Sequence, residues 1–110
     1  MKQAVDVVQE QLDAYNAHDL ARFVACYSEQ IEVFRPPAVA PVLQGIAAFS
    51  AHYQQNRFNL PELHASLVNR MVSGNIVVDH EAVQGLSEQS ISAIAVYQVE
   101  AGLIQRVWFY

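Results

Sequence analysis

Two stretches in which apolar and polar residues alternate predict a long β-hairpin in the second half of the chain. The arms run from Glu62 to Val72 and from Ile76 to Gln84, with Gly74-Asn75 between them. A Gly-Asn pair favours a two-residue turn, because glycine accepts the positive φ that the first turn position requires. The turn therefore fixes the register in which the two arms pair.

Side chains alternate across a strand, so the hairpin has two distinct faces. We assign the more apolar face to the core, and it carries Leu63, Ala65, Leu67, Asn69 and Met71 with Ile76, Val78, His80 and Ala82. Its polar exceptions, Asn69 and His80, are predicted to lie opposite each other. Either they hydrogen-bond to each other in a closed core, or they are left open for a ligand.

The other face of the hairpin carries Arg70, Asp79 and Glu81. We interpret these residues as a solvated cluster of charges, in which Arg70 lies opposite Asp79. His80 points away from both carboxylates, and no residue spacing typical of a zinc site is present. No metal site is therefore expected.

The first half of the chain predicts three helices and a strand. Apolar residues at steps of three and four indicate an amphipathic helix over Lys2 to Ala17. Asp19 is suited to cap a second helix over Leu20 to Tyr27, and Ile46 to Arg57 predicts a third. Between them, Gln30 to Arg35 alternates like a strand, and the two prolines that follow end it.

Two further strands are predicted after the hairpin. Ile91 to Val99 alternates, and the next three residues, ending in Gly102, are typical of a three-residue hairpin loop. This loop length places Gln105 on the face of Tyr97 and Arg106 on the opposite face. A four-residue loop would turn Arg106 inward, so whether it faces the pocket or the outer face is left open.

The outer face of the predicted sheet is strongly apolar. Its apolar members are Val68, Val72, Val77, Val83, Ile94, Val96, Trp108 and Tyr110. So large a contiguous apolar surface exceeds what a soluble monomer usually exposes. We therefore expect a homodimer that forms through this face of the sheet.

Composition narrows the class of protein. Of the 110 residues, 53% are hydrophobic and 15% are charged, against a usual charged share of about 25%. We expect one domain over residues 1–110, with a lined cavity or a buried partner surface. The net charge of -5 argues against nucleic acid and membrane partners. Since no signal peptide or membrane-spanning run is evident, a cytoplasmic protein is expected.

The order of elements resembles the nuclear-transport-factor-two-like superfamily, and more narrowly its SnoaL-like and ketosteroid-isomerase-like branch. The resemblance is carried by residues 15–20 (YNAHDL), 27–33 (YSEQIEV), Gly45 and 102–104 (GLI). It implies an α+β fold in which a cone-shaped, curved antiparallel or mixed sheet wraps around three N-terminal helices and encloses a central pocket. The same cone serves isomerases, dehydratases, epoxide hydrolases, cyclases and proteins without catalysis, so the resemblance implies fold rather than chemistry.

Against ketosteroid isomerases, the resemblance places Gln11, Arg35 and Ala95 where those enzymes have a catalytic tyrosine, a general-base aspartate and a second aspartate. Arginine remains charged in proteins and cannot accept the proton that this reaction removes. True ketosteroid isomerase chemistry is therefore not expected.

We expect the cone to bind a small, mostly apolar molecule without a cofactor. The predicted ligand-binding residues are Tyr15, Arg35, Tyr53, Asn69, Tyr97 and Gln105. The alternative is a cofactor-free isomerase, dehydratase or hydrolase with His80 as general acid or base. In that case Asn69 would orient the imidazole ring, and Arg35 or a tyrosine would stabilise negative charge.

Overall fold

Three helices and a six-stranded sheet make up the computed structural model of this protein, which describes residues 2–110. In chain order the elements are α1 (Ala4–Asn16), α2 (Leu20–Val24), β1 (Tyr27–Phe34), β2 (Leu43–Gln44), α3 (Ile46–Asn56), β3 (His64–Ser73), β4 (Ile76–Gln84), β5 (Ile91–Glu100) and β6 (Leu103–Phe109). The strand order is β2-β1-β6-β5-β4-β3, in which β1 and β6 are parallel and all other pairs are antiparallel. The predicted α+β class with a mixed sheet around N-terminal helices is confirmed.

The helices pack on the inner face of the open sheet around one aromatic side chain. Phe23 of α2 is only 1% exposed, and five aromatic rings have their centroids between 4.9 and 5.8 Å from its own. These rings belong to Tyr15, Tyr27, Phe49, Tyr53 and Phe58. Their burial ties α1, α2, α3 and β1 into one core. None of the helices within residues 2–110 has the length and hydropathy needed to cross a membrane.

Polar side chains fix the ends of the helices. As predicted, Asp19 caps α2, because its carboxylate accepts a hydrogen bond from the Arg22 backbone N–H at 3.1 Å. The side chain of Asn16, at the end of α1, both donates to the Ala65 carbonyl at 2.9 Å and accepts from the Ala65 N–H at 2.8 Å. Helix α1 is thereby fixed against the start of β3. Helix α2 is shorter than predicted, because Tyr27 joins β1 and pairs with Ile104 of β6.

The hairpin turn and its register agree with the prediction, but the face assigned to the core does not. Gly74 has φ of 58° at the turn, and the pairs Arg70–Asp79 and Asn69–His80 form. In β4, however, the buried residues are Val77, Asp79, Glu81 and Val83. His80 therefore faces outward, and the two carboxylates, predicted to be solvated, face the helices.

A β-bulge in β3 explains why the same side of both hairpin arms was predicted to face the core. Leu67 pairs with Glu81 and Asn69 pairs with His80, so Val68 is an extra residue in β3. Each side chain beyond the bulge changes face. The predicted core face is therefore correct at positions 63 and 65. It is wrong at Asn69 and at position 71, which face outward, whereas Arg70 faces inward.

The last hairpin also differs from the prediction by one residue. Glu100 pairs with Leu103, so the loop has two residues, which have φ of 53° and 77°. The register shifts near Gln105, which leaves the inner face, while Val107 still pairs with Tyr97. Arg106 faces outward, as the three-residue loop predicted although the loop itself is shorter, and its guanidinium lies 3.0 Å from the Glu32 carboxylate.

The outer face carries a continuous apolar row, of which Val96 and Trp108 were predicted and the other members were not. Across five strands, successive paired residues are Met71, Val78, Val96, Trp108 and Phe34. The indole of Trp108 stacks on Phe34, with ring centroids 5.4 Å apart. Val77 and Val83, predicted to belong to this face, are instead buried under the helices.

Candidate functional site

A cavity of about 310 Å³ lies between the helices and the inner face of the sheet. Its apolar lining includes Leu12, Phe23, Ala65, Val83, Leu86, Ala93 and Phe109. Its polar lining includes Gln11, Tyr15, Tyr27, Tyr53, Glu81, Tyr97, Arg35 and Arg57. Because Arg35 and Tyr110 are both exposed and both line it, the cavity reaches the surface beside them. An apolar cleft with a few convergent polar groups is the usual composition of a small-molecule site.

Gln11 links two buried tyrosines at one wall of the cavity. The Tyr27 hydroxyl donates to Gln11 Oε1 at 2.9 Å, and Gln11 Nε2 donates to the Tyr97 hydroxyl at 3.3 Å. Burial raises the pKa of both tyrosines well above 10, so both stay protonated at neutral pH. Within residues 2–110 no side chain accepts the Tyr97 proton, which is therefore available to a molecule in the cavity.

Asp79 is compensated by Arg70 on the neighbouring strand. The guanidinium of Arg70 donates to both carboxylate oxygens of Asp79, at 2.7 and 2.9 Å, and also to Gln9 Oε1 at 2.8 Å. Asp79 is completely buried. Such a two-point charge-assisted contact satisfies the buried charge and holds β3, β4 and α1 together.

Glu81 lies two residues further along β4, on the same face, but has no such partner. It is 7% exposed, and among residues 2–110 no side chain donates a hydrogen bond to it. Burial and then the negative charge of Asp79 raise the pKa of its carboxyl to about 7, although Arg70 acts in the opposite direction. Both protonation states of Glu81 are therefore present near neutral pH.

Two arginines line the mouth of the cavity. The guanidinium carbon of Arg35 lies 5.3 Å from the centroid of the Phe109 ring, within the range of a cation–π contact. Arg57 lines the same opening. Deeper inside, burial raises the pKa of Tyr53 to about 12, although the charges of these arginines lower it. The mouth is thus positive, whereas Glu81 makes the interior acidic.

The structure brings four of the predicted ligand-binding residues together. Tyr15, Tyr53 and Tyr97 line the cavity, and Arg35 lies at its mouth. Burial raises the pKa of Tyr15 above its ordinary value, so this hydroxyl also stays protonated. That these residues contact a ligand remains a prediction.

The other three predicted site residues lie outside the cavity. The bulge in β3 turns Asn69 outward, the register shift in β6 removes Gln105 from the inner face, and His80 lies on the outward side of β4. His80 is on the outer face, where its Nε2 lies 2.9 Å from the Ser92 hydroxyl. Asn69 is exposed beside it. The Gln105 amide donates to the Glu100 carbonyl at 3.3 Å. Within the described range 2–110, no three His, Cys, Asp or Glu side chains are grouped so that they could hold a metal ion.

Glu81 and Arg57 line the cavity although the sequence did not assign either residue to the site. Gln11, which the resemblance placed at the position of a catalytic tyrosine, also lines the cavity and is 3% exposed. For Glu81 the available signal was the pair of valines, Val77 and Val83, that makes this face of β4 apolar at both ends. Because buried carboxylates are uncommon, sequence reasoning assigns charged residues to the protein surface and overlooks a site of this kind.

The helices, the open sheet and the cavity form the fold of the nuclear-transport-factor-two-like (NTF2-like) class. An NTF2-like protein of unknown function from Cytophaga hutchinsonii superposes with a TM-score of 0.84 at 16% identity, covering 100% of this chain and 90% of the other. A proposed ketosteroid isomerase from Kribbella flavida gives 0.83 at 17% identity, covering 97% and 76%. A computationally designed 17-OHP binder gives 0.85 at 13% identity, covering 99% and 92%. At these identities the similarity establishes the fold alone.

Within that class, the sequence also identifies the family. The profile of the SnoaL-like domain matches residues 8–107. The chain therefore belongs to the SnoaL-like domain family, as its motifs predicted. No protein of curated function matches the sequence.

Proposed function

We propose that this protein binds a small, mostly apolar molecule in the cavity between its helices and its sheet. The observation that carries the proposal is the cavity of about 310 Å³ in which an apolar wall meets Glu81 and the Tyr97 hydroxyl. Both polar groups have hydrogen-bonding capacity that the described residues leave unused. A ligand with an apolar body and one hydrogen-bonding group fits these features. The designed 17-OHP binder of the same fold supports the proposal, since it is a binder built on this architecture.

The arginines at the mouth add a second feature to the expected ligand. Arg35 and Arg57 lie at the open end and Glu81 lies inside. An acceptor or anionic group on the ligand would therefore be favoured at the mouth, and a donor group inside. The apolar body would lie between them, against residues such as Leu12 and Phe109.

A titration with 4-propylphenol, followed by two-dimensional NMR, tests the proposal. We expect saturable shifts confined to residues around the cavity, and weaker binding of propylbenzene, which lacks the hydroxyl group. Ala93 lines the cavity, so Ala93→Phe should fill it and abolish the shifts. The matched control is Ala82→Phe on the outer face of β4, which should bind normally. Shifts that are absent, or that survive Ala93→Phe, would refute the proposal.

We further propose that two copies associate through the outer face of the sheet. The support is the apolar row that runs from Met71 through Val96 to Phe34, in which Met71 is 62% exposed. Burial of this row against its symmetry mate would form an isologous interface. The cavity lies on the opposite face, so association and ligand binding would use separate surfaces.

Ketosteroid isomerisation is not part of the proposal. Gln11, Arg35 and Ala95 supply no carboxylate at the positions that the resemblance assigns to that chemistry. His80 is also not proposed as a general acid or base, because its ring is on the face of the sheet away from the cavity.

A further inference from the structure

Glu81 is a carboxyl group without a protein partner in an otherwise well-paired interior. Its neighbour Asp79 receives both hydrogen bonds that Arg70 directs at the strand. Glu81 is 7% exposed and lines the cavity. Buried carboxylates are normally paired, because removing an isolated charge from water is costly. A contribution to stability therefore does not explain the buried position of the Glu81 carboxyl.

The residues around Glu81 leave its carboxyl open toward the cavity. Its partners across the sheet are Leu67 on β3 and Ala93 on β5. Ala93 also lines the cavity, and its small side chain leaves room beside the carboxyl. A molecule in the cavity can thus contact Glu81 directly.

We propose that Glu81 is a general acid–base catalytic residue that exchanges a proton with a carbon acid bound in the cavity. The inference rests on the proposed binding function. The Glu81 carboxylate forms an O–H bond as the substrate C–H bond breaks, and the electron pair passes to an electronegative atom of the same molecule. The resulting carboxylic acid then returns the proton to the product or to water, so no further reactant is required.

The protonation behaviour of Glu81 is compatible with this role. The titratable and charged groups that face it are Tyr15 on α1, Tyr27 on β1, Tyr53 on α3, Arg70 on β3, Asp79 on β4 and Tyr97 on β5. Burial and Asp79 raise the pKa of its carboxyl to about 7. A pKa near the working pH makes the base form available and also lets the acid form return the proton.

The ring opening of 5-nitrobenzisoxazole tests the proposal without knowledge of the natural substrate. A base removes the proton on the carbon next to the ring nitrogen, the N–O bond breaks, and the coloured product 2-cyano-4-nitrophenolate is an isomer of the substrate apart from its proton. We expect a saturable rate that rises with pH around a midpoint near 7. Glu81→Gln should lower this rate by roughly 100-fold or more. Glu88→Gln, an exposed control, should leave it unchanged.

Two further measurements separate the possible failures. Titration with 4-propylphenol shows whether the cavity of Glu81→Gln still binds, and Glu81→Asp retains the carboxylate if the glutamine variant does not fold. A rate equal in wild type, Glu81→Gln and Glu81→Asp, or no acceleration over free carboxylate in buffer, would overturn the catalytic role. If 4-propylphenol still binds in that case, the binding function stands. If it does not bind, both proposals are wrong.

Discussion

Each face of the sheet carries side chains that are unusual for their surroundings. The inner face, under the helices, carries Asp79, Glu81 and Tyr97, all buried. The outer face carries the apolar row that includes Met71 and Val96. Burial of the polar groups on the inner face is tolerated because each of them has a hydrogen-bonding partner or faces the cavity. The outer apolar row indicates a surface suited to another chain.

Within the inner face, two carboxylates on one strand show the difference between a structural and a functional charge. Asp79 is held at two points by Arg70, whereas Glu81 has no such contact. The two residues share a strand, a face and a buried environment. The contrast therefore predicts opposite effects on stability when each carboxylate, or its partner, is altered.

The largest effect is expected when the compensated charge loses its partner. Arg70→Met leaves Asp79 buried without a counter-charge, which should cost about 3–5 kcal/mol of the free energy of unfolding. The control is Arg106→Met, which removes an ion pair whose arginine side chain is 47% exposed, and should cost less than about 1 kcal/mol. Urea denaturation measures both. Equal losses in the two variants would contradict the distinction between the buried and exposed pairs.

Neutralising Glu81 should increase the stability of the protein rather than decrease it. Its pKa is about 7 in the folded protein against 4.5 for an ordinary glutamate, so the folded state keeps a proton that the unfolded chain releases. Stability should therefore fall as pH rises between these values, by on the order of 3 kcal/mol. Glu81→Gln should remove this decline, with little effect at pH values below about 4 and a clear gain above about 8.

Urea denaturation of Glu81→Gln and Glu88→Gln across this pH range measures the effect. Glu88 is exposed, so its variant should follow the wild-type profile. A loss of stability in Glu81→Gln at alkaline pH would mean that the Glu81 carboxylate stabilises the fold. Glu81 would then resemble Asp79, and the contrast between them would fail.

A charge placed in the outer apolar row should disrupt association. Val96 lies at the centre of that row, between Val78 and Trp108. Val96→Lys should raise the dimer dissociation constant by roughly 100-fold, since a buried unpaired charge is strongly unfavourable. Val39→Lys, at a site 92% exposed in a loop, serves as the control. Sedimentation that shows wild-type monomers, or no change in Val96→Lys, would contradict the proposed interface.

The smallest effect is expected at the turn that sets the register of the two faces. Gly74 has φ of 58°, and an added Cβ would meet nothing within 4 Å. Gly74→Ala should therefore cost only the backbone strain, about 1–2 kcal/mol, and keep the register. Amide hydrogen exchange would detect the change. If the pattern of protected amides shifted by one residue along the sequence, the turn alone would determine which side chains face inward.

The sequence predicted the elements of this fold better than the faces of its strands. The turn at Gly74, the cap at Asp19 and the fold class followed from local chemistry and motifs. The bulges at Val68 and Gln105 did not, because neither carries a glycine or proline to mark the extra residue. Their positions depend on contacts between distant parts of the chain, such as the hydrogen bond from Arg70 to Gln9 of α1.

The same cause limited prediction of the candidate site. Tyr15, Tyr53 and Tyr97 line the cavity, as expected from the cone that the resemblance implies. The sequence favours His80 over Glu81 because the hairpin face that carries His80 is the more apolar one. The two residues are adjacent, so an error of one residue in phase exchanges them. The pairing of Arg70 with Asp79 compensates the buried charge in this part of β4, and its position on the inner face is what the sequence does not reveal.

A carbon-13 NMR titration of the Glu81 side-chain carboxyl, assigned by comparison with Glu81→Gln, tests the central claim most directly. The claim is that this carboxyl is buried, lacks a protein partner and faces a ligand cavity. We predict a titration midpoint near 7 and a further shift of the carboxyl resonance when 4-propylphenol is added. A midpoint at the ordinary value of about 4.5, with no response to 4-propylphenol, would contradict it.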